Sequence, residues 1–413
     1  MKEVSFFLSD FKQLDANGLP PRIDIDSQTN EFASSALNRF LNQLVDAENL
    51  VVLAGSGTSL TFNRQGLPKV APSMADLWAS CRNLDVARFD EVLRSVKYDD
   101  VAGTWQDGLQ RQDIELLLSL CDSYLPLKNL SSTRHRKVSE FLIAAKQNII
   151  KETSFVDRVP HDSWPAHNRF ISVLGKRSPK QKRLKVFTTN YDLAFEVAAS
   201  NTGMIVIDGF EFSQPHRFNP AWFHYDIVNR TQASEKGGAY LPNIIHLYKV
   251  HGSIDWVRTT AGVYKQTGAD KTSGEPVFIY PSSTKYQSSY DSPYLDMMAA
   301  FLEAVQKPKT ALLCIGFGFN DKHLNNAITM ALRTNSEIMV MAATKDPFNP
   351  QGAFNPEIRS QFMNAITAGD SRLAIVDCTF DTFVSLLPDR HKPSPEETLL
   401  NMFEQVIARG NQP

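Results

Sequence analysis

The sequence is poor in cysteine, and its cysteines are widely separated. The 413 residues include only four: Cys81, Cys121, Cys314 and Cys378. No two of them form a C-x-x-C pair, the spacing that structural zinc sites typically use. They are also too few for a disulfide scaffold. We therefore expect reduced thiols in the hydrophobic core and no zinc site.

The sequence also lacks an excess of charge of either sign. Its 43 basic and 45 acidic side chains give a formal net charge of −2. The overall field is therefore not built to attract nucleic acid or an anionic membrane. A contact with nucleic acid would have to be indirect or come from a local patch, although most basic runs are solvated loops. One such run is present: Lys176, Arg177, Lys180, Lys182, Arg183 and Lys185.

Long apolar runs are missing as well. No run approaches the roughly 18 residues that a membrane-spanning helix needs. The N-terminus reaches Asp10 before any apolar stretch long enough for a signal peptide. We expect a cytoplasmic protein that makes no contact with a membrane.

What the sequence does contain is an alternation of apolar strand patterns and amphipathic helix patterns. Predicted strands lie at residues 50–54, 186–189, 204–207, 244–250, 277–280, 311–315 and 338–341. Predicted helices include residues 34–46, 193–199, 294–306 and 322–333. Wholly apolar strands separated by helices are typical of a parallel sheet that is covered on both faces. The pattern predicts an α/β fold, with a Rossmann-like, doubly wound and mainly parallel sheet.

One long stretch departs from this alternation. Between residues 76 and 183 the apolar residues follow helical spacing only, as in the stripe Phe89, Val92, Leu93 and Val96. We predict a large all-helical insertion at 76–183, within a core formed by residues 34–75 and 184–390. Residues 1–33 look like an N-terminal extension, and residues 391–413 are predicted to contain a C-terminal helix.

Polar residues cluster at the ends of four predicted strands. The segments are G-S-G-T-S at 55–59, T-T-N-Y-D at 188–192, V-H-G-S at 250–253 and G-F-G-F-N-D at 316–321. The glycines would allow a phosphate to approach the backbone, but a tight turn explains them equally well. Asn190 and Asp192 could cap a helix, and a lone histidine such as His251 is usually structural. Open α/β sheets nevertheless bind their ligands at this edge, where a histidine can act as a base.

The order of these four segments resembles the sirtuin family, specifically the sirtuin-like domains of bacterial anti-phage defence proteins. Gly55-Ser56-Gly57 is similar to the family's glycine-alanine-glycine motif, with Ser56 in place of alanine. Thr189-Asn190-Tyr191-Asp192 is similar to its threonine-glutamine-asparagine-isoleucine-aspartate motif, with Thr189 replacing glutamine and Tyr191 replacing isoleucine. Val250-His251-Gly252 matches the segment that carries the family's catalytic histidine.

Two departures from the family pattern argue against a deacylase. The family's zinc module has two C-x-x-C pairs, which this sequence lacks. Its proline-aspartate-phenylalanine-arginine segment is here Pro68-Lys69-Val70-Ala71. Both losses weaken the deacylase interpretation, since the zinc module helps to form the cleft for an acyl-lysine peptide. They leave cleavage of NAD itself plausible.

The resemblance implies that NAD is the substrate and that Asn190 and His251 are catalytic. Asn190 would hold a ribose hydroxyl and the attacking water, while His251 would accept a proton. Asp192 would fix its loop. The residues expected to contact NAD are Gly55, Ser56, Gly57, Thr58, Ser59, Asp192, Gly316, Gly318 and Asn320.

Several functions are compatible with these residues. The first is an NAD hydrolase that depletes NAD in abortive infection, most like the subunit that pairs with a HerA-type ATPase, and expected to form a homo-oligomer. The second is a non-catalytic subunit that binds NAD or ADP-ribose and serves assembly. The third is a sirtuin-type deacylase or an ADP-ribosyltransferase. The presence of both Asn190 and His251 favours an enzyme, because a pure binder does not require the histidine.

Overall fold

The computed structural model describes most of the chain. The described residues are 3–16, 18–63, 68–103, 112–127, 132–177, 181–229, 240–266, 274–278, 292–350 and 352–388. The predicted C-terminal helix and the whole segment 391–413 lie outside them, as does Lys180. Among the described residues, no helix has both the length and the apolar character needed to cross a bilayer.

Twelve strands are present in the described part of the chain. They are Glu3–Leu8 (β1), Ile23–Asp24 (β2), Asn49–Ala54 (β3), Leu184–Thr188 (β4), Ile205–Ile207 (β5), Ile244–Lys249 (β6), Gly252–Thr259 (β7), Gly262–Lys265 (β8), Glu275–Phe278 (β9), Thr310–Ile315 (β10), Met339–Thr344 (β11) and Leu373–Asp377 (β12). Nine form one sheet in the order β2-β1-β12-β11-β10-β3-β4-β6-β5. The seven strands from β12 to β5 are parallel. This confirms the predicted mainly parallel sheet.

Thirteen α-helices lie in the described ranges. They are Glu31–Asp46 (α1), Gly57–Leu60 (α2), Met74–Leu84 (α3), Val86–Ser95 (α4), Tyr98–Ala102 (α5), Ile114–Tyr124 (α6), Thr133–Thr153 (α7), Pro165–Gly175 (α8), Ala194–Asn201 (α9), Tyr294–Gln306 (α10), Lys322–Thr334 (α11), Pro356–Thr367 (α12) and Phe380–Leu386 (α13).

Helices cover both faces of the parallel sheet, because successive side chains of each buried strand point to opposite faces. On β3, Val52 and Ala54 pack in the hydrophobic cluster with α1, α8, α9 and α13. Val51 and Leu53 pack on the other face, in the cluster with α10, α11 and α12. Both faces of the central strands are therefore shielded from solvent, which explains why these strands are apolar along their whole length.

The helices between β3 and β4 do not all belong to one layer. Helices α3 to α7 share a third hydrophobic cluster, which includes Trp78, Phe89 and Phe141. The last helix, α8, instead buries Phe170 and Leu174 in the cluster on the sheet. The predicted insertion at 76–183 thus contains one helix that packs as part of the α/β core.

Two regions differ from the expected alternation of strands and helices. The strand expected at 277–280 is β9, whose described residues belong to a separate antiparallel sheet of order β8-β7-β9. At the N-terminus, β1 pairs antiparallel with β12, so residues of the predicted extension 1–33 form an edge of the main sheet. Phe6 and Phe7 point to opposite faces of that sheet, and both are buried.

Candidate functional site

The strand order locates a crevice at one edge of the sheet. With β3, β4, β6, β10, β11 and β12 counted as strands one to six, the order is the Rossmann order 3-2-1-4-5-6. The direction of winding reverses between β3 and β10, so beyond these loops the chain continues to helices on opposite faces of the sheet. Ligands of such sheets bind at this point, outside the carboxyl ends of the strands. All four predicted polar segments follow strands that end at this edge.

The two glycine loops pack directly against each other. Gly57 donates its N–H to the carbonyl of Gly316 at 2.9 Å. A methyl group on Gly57 would lie 2.7 Å from the Cα of Gly316, and one on Gly316 would lie 2.7 Å from the Thr58 nitrogen. Gly316 also has a φ of +58°, which side chains disfavour. These two glycines are therefore required by the contact between the loops, independently of any ligand.

The loop after β3 uses most of its backbone N–H groups internally. The N–H groups of Gly55, Gly57, Thr58 and Ser59 all donate to carbonyl oxygens of the protein. Ser56, by contrast, is exposed. A bound pyrophosphate would therefore meet the Ser56 side chain first, and it would have to compete for the remaining donors.

Asn190 is anchored to this loop from the neighbouring strand. It follows β4, is 8% exposed, and points its amide nitrogen at the Ser59 hydroxyl (2.9 Å), the Thr58 hydroxyl (3.1 Å) and the Gly55 carbonyl (3.2 Å). A carbonyl oxygen cannot donate, so the atom facing Gly55 must be the amino group. The amide oxygen of Asn190 accepts no hydrogen bond from the described residues. It is thus the atom left to accept a hydrogen bond from a ligand.

A buried network of hydrogen bonds and charges holds the loop after β4 that carries Asn190. Asp192 accepts hydrogen bonds from the Ser59 hydroxyl at 2.7 Å and from the Ala194 N–H at 2.9 Å. Lys249, only 2% exposed, donates to the Asp192 carbonyl and forms an ion pair with Glu196 at 3.1 Å. Asp192 therefore ties the loop after β4 to Ser59 and to the first residue of α9.

His251 is paired with a carboxylate across the crevice. It follows β6 directly, is 4% exposed, and its Nε2 lies 3.0 Å from Asp321 Oδ2. Asp321 caps α11 by accepting the N–H groups of His323 and Leu324. Because the carboxylate accepts from Nε2–H, it leaves Nδ1 unprotonated in the neutral imidazole. Nδ1 makes no hydrogen bond to the described residues.

The charges around His251 shift its titration. Burial by itself lowers the pKa of His251, but the hydrogen bond to Asp321 and the charges of Glu115 and Asp321 outweigh it, so the pKa is raised. Burial by itself raises the pKa of the Asp321 carboxyl. The hydrogen bond with His251 outweighs this effect and holds the pKa below its usual value. The pair is therefore stabilised as an ion pair when His251 is protonated.

A residue of the helical segment also reaches this edge. Glu115 on α6 accepts a hydrogen bond from the Tyr191 hydroxyl at 2.7 Å. Burial raises the pKa of Glu115, and the charge of His251 opposes that rise. Tyr191 in turn accepts the Ile254 N–H at 3.1 Å, which ties the loop after β4 to the beginning of β7. Helix α6 thus contributes a carboxylate whose charge acts on His251.

Comparison with known proteins relates part of this region to a family. Residues 184–365 match the SIR2-like domain model. The matched segment begins at β4 and includes Asn190, His251 and Asp321. No curated protein sequence matches the chain.

Solved structures of Sir2 homologues are also similar to this chain, at low identity. One is a serine-to-alanine variant in complex with ADP-ribose, at 12% identity and a TM-score of 0.32, covering 80% of this chain and 96% of that chain. A histidine-to-asparagine variant with ADP-ribose has 13% identity and a TM-score of 0.33, with the same coverage. A Sir2 histidine-to-alanine variant with a deacetylated p53 peptide and 3′-O-acetyl ADP-ribose has 9% identity, a TM-score of 0.31, and coverage of 81% and 99%. With such low TM-scores, the fold assignment rests on the strand order described above.

Not every residue that was predicted to contact NAD faces the crevice. Gly318 packs on another loop, because a methyl group there would lie 2.8 Å from the Ala353 carbonyl. Asn320 is exposed and donates to the same carbonyl at 3.0 Å. In this conformation both residues attach the loop after β10 to the segment before α12.

Two residues that act on His251, Asp321 and Glu115, were not predicted from the sequence. Asp321 was visible as the last residue of the G-F-G-F-N-D segment, and its position before a helix pattern could have marked it. Glu115 lies on α6, outside the matched residues 184–365, and no local signal in the sequence connects it with His251. The cysteines are all buried and unpaired. Within the described ranges, no three His, Cys, Asp or Glu residues are grouped as metal ligands.

Proposed function

We propose that this protein hydrolyses NAD at the nicotinamide–ribose bond, releasing nicotinamide, ADP-ribose and a proton. The observation that carries the proposal is the pair of unused polar atoms at one sheet edge. These are the amide oxygen of Asn190 and Nδ1 of His251, each on a side chain held by the protein through its other polar atom. The match of residues 184–365 to the SIR2-like domain supports NAD as the ligand.

The two side chains can divide the chemistry between them. Cleavage of the nicotinamide–ribose bond builds positive charge on the ribose, and a water molecule then attacks its anomeric carbon. The Asn190 amide oxygen is suited to accept a hydrogen bond from that water or from a ribose hydroxyl. His251 Nδ1 is suited to take the proton that the water loses, and Asp321 holds the imidazole in the tautomer this requires.

The raised pKa of His251 sets the direction of the pH dependence. A protonated imidazole cannot accept a proton, so the general base is present only in the fraction of molecules with neutral His251. Because the pKa of His251 lies above its ordinary value, this fraction still increases as the pH rises through neutrality. Turnover is therefore expected to rise with pH over this range.

The test is nicotinamide release from NAD by the purified chain, measured chromatographically for the wild type, Asn190→Ala and His251→Ala. Loss of a general base typically costs about a hundred- to ten-thousand-fold in rate. His161→Ala, at an exposed histidine before α8, is the matched control and should keep full activity. Wild-type rates in both site variants would overturn the assignment.

The same samples separate the competing functions. Equal amounts of nicotinamide and free ADP-ribose indicate hydrolysis, whereas ADP-ribose retained on protein indicates transfer. Binding of ADP-ribose by calorimetry without any nicotinamide release, alone or with the ATPase partner, would favour a non-catalytic binding subunit. Nicotinamide release that requires an acylated lysine peptide would instead favour a deacylase.

We further propose that the chain acts in the cytoplasm as a homo-oligomer with a HerA-type ATPase, and depletes NAD in anti-phage defence. This rests on the resemblance of the four strand-end segments to sirtuin-like defence proteins. Light scattering of the purified chain and co-purification with the ATPase test the assembly. Plaque counts and cellular NAD during infection test the role, and both should return to undefended values with His251→Ala.

A further inference from the structure

A second pocket lies at the opposite edge of the sheet from the proposed NAD site. Asn49, Leu50 and Val51 line it where β3 begins, and His246 lines it from β6. A β-strand rises about 3.3 Å per residue, so the six residues of β3 separate this pocket from the glycine loop by roughly 15–20 Å. Its volume is about 150 Å³.

The charged side chains that line this pocket are all basic. They are Lys182, Arg183, Lys185 and Lys307. Two of them already have acidic partners, since Arg183 pairs with Asp226 at 2.9 Å and Lys307 with Glu303 at 2.7 Å.

Lys182 and Lys185 have no such partner. Among the described residues, no carboxylate lies within ion-pair distance of either of them. Lys182 is exposed, whereas Lys185 is half-buried on β4. Burial lowers the pKa of Lys185, and the charge of Lys307 lowers it further, although the charge of Glu303, the partner of Lys307, opposes both. The cations of the pocket therefore repel one another, and an anion between them would relieve that repulsion.

His246 adds an unsatisfied polar group. It is 6% exposed, and neither of its ring nitrogens has a hydrogen-bond partner among the described residues. Leaving a buried donor and acceptor unpaired costs free energy, so such a group calls for an explanation. A neutral imidazole can donate one hydrogen bond to an anion without carrying a charge.

The C-terminal end of α10 also borders the pocket, and its carbonyl groups would ordinarily disfavour an anion. Here they are occupied by other donors. The Thr310 hydroxyl donates to the carbonyl groups of Ala304 and Lys307. The Asn335 amide donates to those of Val305 and Lys307. The side chain of Lys307, at the same helix end, presents a positive charge to the pocket.

We propose that this pocket binds a phosphate group, either inorganic phosphate or the terminal phosphate of a monoester. Lysine ammonium groups and an imidazole N–H are donors that suit its oxygens. A water molecule needs only about 10–15 Å³ of such space, so the pocket can hold an anion of several atoms. Nucleic acid would need a longer groove with aromatic surfaces for its bases, and the residues lining this pocket include none.

The test is calorimetric titration of inorganic phosphate into the full chain, with Lys185→Met as the variant and Lys345→Met as the control. Methionine keeps the apolar stem that Lys185 packs into the pocket. Lys345 is an exposed lysine after β11, outside this pocket. Loss of a charge-assisted hydrogen bond should weaken phosphate binding about tenfold or more in Lys185→Met, while Lys345→Met binds as the wild type does.

A measurement on the wild type makes the test independent of how the variant folds. Lysine labelling followed by mass spectrometry should show that phosphate protects Lys185 and Lys182, but not Lys345. A monoester without an adenine group, such as glycerol 3-phosphate, that binds more tightly than phosphate identifies the monoester as the source, and equal or weaker affinity identifies the free anion.

Three results would overturn the proposal. One is the absence of binding at millimolar phosphate. Another is undiminished binding by Lys185→Met, which would place the phosphate elsewhere, for example at the glycine loops. The third is protection of these lysines by single-stranded DNA and not by phosphate, which would make the pocket part of a nucleic-acid surface.

Discussion

Replacing His167 by phenylalanine should remove part of the acid sensitivity of this protein. His167 lies on α8, is completely buried, and stacks on Phe62 with ring centroids 4.2 Å apart. Neither of its ring nitrogens makes a hydrogen bond of normal geometry with the described residues. Burial therefore lowers the pKa of His167 to about 3, although the nearby backbone of Thr58 opposes this shift. A phenylalanine fits the same aromatic surroundings and cannot take up a proton.

The magnitude follows from the difference between the folded and the unfolded state. The unfolded chain binds a proton at this histidine below its ordinary pKa near 6.5, whereas the folded chain does not until about pH 3. The free energy of unfolding is therefore not reduced by His167 above about pH 6.5, and it decreases as the pH falls below that value. Between about pH 7.5 and pH 5 the loss from one such histidine is about 2 kcal/mol. Burial also lowers the pKa of His246 to about 4. His246 therefore causes a further loss of free energy of unfolding of similar size, and this loss is the same in His167→Phe.

The assay is urea unfolding, followed by fluorescence at about pH 7.5 and pH 5, for the wild type and His167→Phe. The wild type should lose about 2 kcal/mol more of its free energy of unfolding than the variant does between these pH values. His161→Ala, at an exposed histidine, is the control and should behave as the wild type. An identical pH dependence in the wild type and His167→Phe would show that His167 is not held neutral by burial, and would refute the reasoning.

Three further changes probe the site. Asp321→Asn keeps the cap of α11 but turns an N–H donor towards Nε2 of His251. This favours the tautomer with Nδ1 protonated, so nicotinamide release should fall at every pH, as a pH–rate profile would show. Gly316→Ala forces a side chain into the contact between the glycine loops and should cost about 2 kcal/mol or more in urea unfolding. Gly203→Ala, also at positive φ but with no described atom within 4 Å of the added methyl group, should cost less. Lys249→Met leaves Glu196 buried and unpaired, which should cost about 3–5 kcal/mol in thermal or urea unfolding. The double variant with Glu196→Leu should recover part of that loss, and no recovery would contradict the ion-pair explanation.

The central strands could be predicted from the sequence because each is apolar along its whole length. The patterns at residues 50–54 and 311–315 correspond to β3 and β10, which are buried on both faces. The helix predicted at 294–306 coincides with α10 for the same kind of reason, a continuous apolar face. β7 was missed because its apolar and polar residues mix, and the β9 region was assigned to the alternation although it pairs within the small sheet.

The predicted site residues were found from chemistry at strand ends, but their partners depend on the tertiary fold. Nothing near Glu115 in the sequence indicates that α6 meets the loop after β4. The sequence pattern predicts that the glycines let a phosphate approach the backbone. The contact between Gly57 and Gly316 explains these glycines without a phosphate. The need for glycine there comes from another loop, and only the three-dimensional structure shows which loop it is.

That contact also has a consequence for how the protein is made. Gly57 and Gly316 belong to opposite halves of the sheet, and the two strands that precede them, β3 and β10, are direct neighbours. During synthesis the first loop leaves the ribosome long before the second, and β3 must wait for β10 to cover one of its edges. Asn190 and His251 are also made before Asp321. A nascent chain therefore has no complete crevice until Asp321 has emerged, and translation finishes most of the protein before the chemistry can begin.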